Sequence, residues 1–287
     1  MPNFSTLIVR SFNMQKWEGS NEIIKKGSLI GIVATVVVLL GGGGAFAKQQ
    51  AAKQWVNSTT PTIFIHGYGS SYHAEESMVK AAQKAGVTKS VALARVDKNG
   101  QVKISGDKIA GQRNPIVEVN LANNKQSDMA EGAKYIRNVI QALQKRDHIT
   151  KYNFVAHSMG NMDAFSYLND YGTQSGMPEL KKQVVIAGGG LSGWTRDSAN
   201  VEKMRSHMDN LKNVYPHADV LVIGGNTGNG SDGRVPNAAT RSVREMLGDR
   251  PASFRIKMFQ DKQYTHSGLH ENKQVFKLIN NFLWKKN

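Results

Sequence analysis

A chain of 287 residues with 40% hydrophobic and 21% charged side chains is neither disordered nor fibrous, and it can bury one sizeable core. The absence of cysteine excludes disulfides, a cysteine nucleophile and thiolate metal sites. A net charge of +15 fits a solvated basic surface or attraction to an anionic one, such as membrane headgroups or a polyanionic cell wall, better than nucleic acid: the basic residues are scattered and no recognition motif accompanies them. Residues 1–47 carry only +2 of this charge, from Arg10, Lys16, Lys25 and Lys26 against Glu18 and Glu22.

From Leu29 to Ala47 there is no charged residue; Lys25 and Lys26 precede the stretch and Lys48 ends it. Its length is close to the ~20 residues that span a bilayer. Two export readings stay open. A retained anchor would leave residues 1–28 cytoplasmic by the positive-inside rule. A cleaved signal peptide would use the small-residue site Ala45-Phe46-Ala47. Either way the body faces outward, on the extracytoplasmic side of the membrane or secreted.

Residues 48–60 are polar and read as a linker, and the folded domain is expected over 61–287. It opens with Pro61-Thr-Ile-Phe-Ile-His-Gly67, a β-branched and aromatic run ending in His-Gly. Glu75 to Ala85 is a helix by its spacing. Val91 to Val96 and Val102 to Ile104 are strands around the Asn99-Gly100 turn. Pro115 to Asn120 is another strand, and Met129 to Leu143 has apolar residues at helical spacing. Further on, Gln183 to Ala187, Asp219 to Gly225 and Phe254 to Phe259 are strands, with helices at Ala238 to Leu247 and Lys273 to Trp284. Apolar strands alternating with helices imply a mostly parallel sheet covered on both faces. The segment 191–217 fits neither template; Trp194, Met204 and Met208 would suit an apolar lid over a site.

Between these elements lies Tyr152-Asn-Phe-Val-Ala-His-Ser-Met-Gly160, a strand running into a small-x-Ser-x-Gly pentapeptide and then a helical pattern. That context is the one a nucleophile elbow requires, with Ser158 at its apex. A serine hydroxyl needs a positioned base, usually a histidine oriented by a carboxylate. Both appear past later strands in the chain order serine, acid, histidine. The loop Asn226 to Pro236 has Asp232 as its carboxylate, and the loop Gln260 to His270 holds His266 and His270. His266 is the favoured base, because His270 sits at the start of the last helix. Asp261 shares a loop with the base and is the weaker acid. Asp163 falls within the elbow helix and reads as structural. Oxyanion donors are expected from the backbone N–H groups of Met159 and Tyr68, the latter in the loop His66-Gly-Tyr-Gly69. His66 is expected to brace that loop and His157 to flank the elbow. No histidine pair has metal-ligand spacing, and neither metal nor cofactor is expected.

The runs PTIFIHGYGSS, NFVAHSMGN, SDGRVP and HSGLHEN resemble the α/β-hydrolases provisionally named as cell-surface hydrolases of Gram-positive bacteria, a domain family of unassigned function. The resemblance covers about Thr60 to Trp284. The elbow is also similar to that of small bacterial lipases, which place alanine where Ala156 stands. Their loop and histidine patterns match His66–Gly69 and His266–Val275. The resemblance implies an α/β-hydrolase fold, His266 over His270 as base, and Tyr68 and Met159 as oxyanion donors. The expected reaction is hydrolysis of a carboxylic ester in a small molecule, a lipid or a cell-envelope component. Transfer of the acyl group, or surface binding without catalysis, remain the alternatives.

Overall fold

The computed structural model describes residues 53–190 and 208–286, all within the compact unit Ala47–Asn287. Leu29 to Ala47 and all of 191–207 lie outside the described residues, and among those described no helix is long and apolar enough to cross a membrane.

Eight strands are described: β1 (Thr62–Ile65), β2 (Val91–Val96), β3 (Val102–Gly106), β4 (Ile116–Leu121), β5 (Lys151–His157), β6 (Glu179–Ile186), β7 (Asp219–Asn226) and β8 (Ser253–Gln260). They form one sheet in the order β3-β2-β4-β1-β5-β6-β7-β8. Every neighbouring pair is parallel except β2 with β3, which are joined through the Asn99-Gly100 turn, where Gly100 has φ of 82°. The positive φ is why an Asn-Gly pair marks this corner.

Successive side chains of a strand face opposite sides, and the core divides accordingly. Ile63 and Ile65 of β1, with Phe154 and Ala156 of β5, meet α2 (Met129–Asp147) and α3 (Gly160–Asp170). Phe64 and Val155, one residue out of phase, meet α1 (Glu76–Lys84) and α6 (Lys273–Trp284) on the other face. Asp128 starts α2 by accepting from the N–H groups of Ala130 and Glu131, and Asn272 starts α6 by accepting from Gln274 N–H.

Three expectations are corrected. The predicted helix Ala238 to Leu247 is two short ones, α4 (Asn237–Arg241) and α5 (Val243–Leu247), parted at Ser242. The Ala239 carbonyl, which a continuous helix would pair with Val243, instead accepts from Gly190 N–H at 2.9 Å and Ser242 Oγ at 2.8 Å. The described part of the polar stretch 48–60, from Lys53 on, does not stay off the domain: Trp55 is buried, its indole donates to the Ala85 carbonyl, and Val56 N–H donates to Trp284 O. Burying one tryptophan outweighs the solvation of its polar neighbours. Finally, Met208 is no part of a roof; it lies buried in the core on the α2–α3 face together with Leu211 and Tyr215, and Trp194 and Met204 are outside the described residues.

Candidate active site

The direction in which strands are added reverses at β1: β2, β3 and β4 lie on one side of it, and from β5 onward the strands are laid down on the other. In open parallel sheets ligands bind at such a switch point, beyond the carboxyl ends of the strands. Ser158 stands there, one residue past β5, with φ of 54°. A left-handed backbone is strained for serine and persists only where its surroundings hold it. Here Ser158 N–H donates to Ile186 O at 3.0 Å, and buried Asn161 donates from Nδ2 to the carbonyls of Ser158 (3.0 Å) and Ile186 (3.1 Å).

The small residues around the turn have steric reasons. A Cβ on Gly160 would come within 2.5 Å of the His66 carbonyl oxygen, and one on Gly67 would stand 2.8 Å from Ser158 Cβ. Both contacts are closer than real Cβ atoms tolerate, so the loop after β1 can lie against the elbow only with glycine at these places. At Ala156, fully buried in β5, the methyl group is accommodated.

His266 Nε2 lies 2.8 Å from Ser158 Oγ, and its Nδ1 lies 3.0 Å from Asp232 Oδ2. Asp232 is buried, and its Oδ1 accepts from the N–H groups of Arg234 (2.8 Å) and Val235 (2.7 Å). A further backbone bond runs from His266 N–H to Asp232 O at 2.8 Å, so the two loops are fastened to each other beside the side-chain contact. The other candidates are placed differently. Asp261 is exposed and accepts from Gln263 N–H within its own turn. His270 lies 3.4 Å from Glu271 and its ring packs against His157; burial lowers its pKa.

His66 is buried and neutral: burial lowers its pKa, Nδ1–H donates to Gly67 O, and Nε2 accepts from Leu121 N–H at 3.0 Å. It thereby ties the Gly67–Gly69 loop to β4. Two features of the site carry no signal in the motifs. His157, expected only to flank the elbow, donates from Nε2 to the His266 carbonyl at 3.0 Å, while burial, then the nearby His270 and His266, hold its pKa well below the usual histidine value. Asn161 is the second, a fully buried amide at the start of the elbow helix whose role appears only once its burial is seen. Among the described residues nothing accepts a hydrogen bond from the backbone N–H of Tyr68 or Met159.

The model of a family of alpha/beta hydrolases of unknown function (DUF915) matches residues 49–286. The chain belongs to this family. No sequence among curated proteins matches it. Among solved structures, the lin2722 gene product of Listeria innocua is similar over 79% of this chain and 94% of its own, with a TM-score of 0.70 and 21% identity. A Lactobacillus plantarum protein, provisionally named a cell surface hydrolase, is similar over 78% of this chain and 91% of its own, with a TM-score of 0.66 and 22% identity. At these identities the likeness establishes the α/β-hydrolase fold, which the eight-stranded sheet of the described residues shares.

Proposed function

We propose that this DUF915 protein is a serine hydrolase of carboxylic esters, held at or released from the outer face of the membrane. The observation that carries the reading is His266 bridging Ser158 and Asp232 through its two ring nitrogens at 2.8 and 3.0 Å. In this reading Asp232 accepts from Nδ1–H and so leaves Nε2 unprotonated toward Ser158 Oγ. Ser158 Oγ attacks the ester carbonyl carbon while His266 takes its proton. The tetrahedral oxyanion is met by the N–H groups of Tyr68 and Met159, each worth roughly 3 kcal/mol of transition-state stabilisation. Collapse expels the alcohol, protonated by His266, and leaves an acyl-serine. Water then attacks with His266 as base, releasing the acid and restoring the serine.

The test is turnover of a chain-length series of p-nitrophenyl esters by the full chain, with fluorophosphonate labelling of the serine. Ser158→Ala and His266→Ala are expected to lose roughly 10⁴-fold or more in kcat, and His270→Ala to keep activity within about tenfold. Activity that survives Ser158→Ala, or wild-type protein that neither turns over an ester nor takes the label, would sink the reading.

A further inference from the structure

Among the described residues, Tyr68 is the only large hydrophobic side chain that is mostly exposed, at 56%. It stands in the loop that touches the serine, one residue after Gly67. Loop freedom does not explain the exposure. Ser70 N–H donates to Gly67 O, Gly69 N–H to Asn124 O, Asn124 Nδ2 to Ser70 O at 2.6 Å, and His66 Nδ1–H to Gly67 O. A loop fixed by four hydrogen bonds thus holds an aromatic ring in water beside the reacting atoms.

What would cover the ring follows from its surroundings. The loop bonded to it carries Asn124 and exposed Lys125, and its own continuation carries Ser70. A fatty chain is covered best by a contiguous apolar surface, and among the described residues the one mostly exposed large hydrophobic side chain, a tyrosine of about 200 Å² at most, does not make one. A sugar ring has the matching character: one apolar face of C–H groups, surrounded by hydroxyls that pair with amide, hydroxyl and ammonium donors. We infer that the alcohol half of the ester is a saccharide, seated with its ring face on the Tyr68 side chain and its hydroxyls toward Ser70, Asn124 and Lys125. This rests on the serine-hydrolase reading and names its substrate class: an O-acylated sugar rather than a glyceride.

The experiment compares three acyl donors with the full chain: vinyl acetate, which has the same acyl group and almost no alcohol half; acetylated xylo-oligosaccharides; and tributyrin below and above its solubility limit. Tyr68→Ala is expected to lower kcat/KM on the acetylated sugar at least tenfold more than on vinyl acetate, chiefly through KM. Tyr68→Trp should restore the ratio, because a larger ring still stacks. An equal change on both acetates, or faster turnover of tributyrin droplets than of the sugar ester, overturns the saccharide assignment while leaving the hydrolase standing. Failure of the wild type on all three, vinyl acetate included, removes the hydrolase reading and this inference with it.

Discussion

Two buried aspartates, on the β7–α4 loop and on α3, show how differently one side chain is treated in the same molecule. Asp232 is 2% exposed and has both oxygens engaged: two backbone N–H groups on Oδ1, His266 on Oδ2. Asp163 is 3% exposed, its Oδ2 has no hydrogen-bond partner, and burial raises its pKa to about 7. Burial alone makes a carboxyl hold its proton; burial with aimed donors makes it an acceptor that can fix a tautomer. Only the second kind can orient a base. The elbow helix therefore carries an acid nearer to Ser158 in sequence, and the more distant loop carries the one that meets the histidine.

The largest effect should come from removing that acceptor. Asp232→Asn keeps the shape of the loop but offers an N–H where His266 needs an oxygen, and kcat on a p-nitrophenyl ester should fall roughly 10⁴-fold with the unfolding midpoint little changed. A loss below tenfold would place Asp232 with Asp163 as a structural acid. An intermediate effect is expected at Gly132 on α2, where an added Cβ would lie 1.9 Å from Asp163 Oδ1. Gly132→Ala should destabilise by about 2 kcal/mol in denaturant melts. The penalty should shrink in an Asp163→Ala background, since the clash then has no partner; additive losses would show that Asp163 does not fill that space.

The smallest effect depends on pH. A carboxyl whose pKa rises from 3.8 to about 7 on folding keeps its proton in the native state while the unfolded chain releases it. Its contribution is present below about pH 4, is lost as pH rises toward 7, and stays lost above. Asp163→Asn removes this dependence, so at pH 8 the variant should be more stable than wild type, and at pH 3.5 nearly equal. Urea melts at both values check it; a variant weaker than wild type at pH 8 would mean that Asp163 is paired when ionised. Glu118, raised to about 7 chiefly by burial, and Glu75, raised well above the carboxylate range by burial and then by Glu118 and Glu271, titrate in the same direction. They will leave part of the wild-type slope in place.

How much of this was legible in the residues follows from the range of the forces involved. Strand positions and the helix Lys273–Trp284 repeat a period that one sequence displays, and the order Ser158, Asp232, His266 is a matter of which loop follows which strand. The break at Ser242 is different, because it arises from Gly190, some fifty residues away, taking the Ala239 carbonyl. Trp55 reads as part of a linker because its neighbours are polar and its partners, Ala85 and Lys285, are remote. The role of His157 was hidden for the same reason: its acceptor is a backbone carbonyl 109 residues on. Local pattern reaches elements and loop order, and it does not reach contacts settled by packing.

The clasp around Trp55 has a mechanical consequence. Val56 N–H donates to Trp284 O and Lys286 N–H to Gln54 O, so the chain enters and leaves the domain at one corner, closed by antiparallel pairing of its two ends. That corner adjoins Ala85 at the end of α1 and Asn114 ahead of β4, at the edge of the sheet opposite Ser158. Tension applied through either end is borne by these few bonds and by the end of α6 before any reaches the loops that hold the histidine.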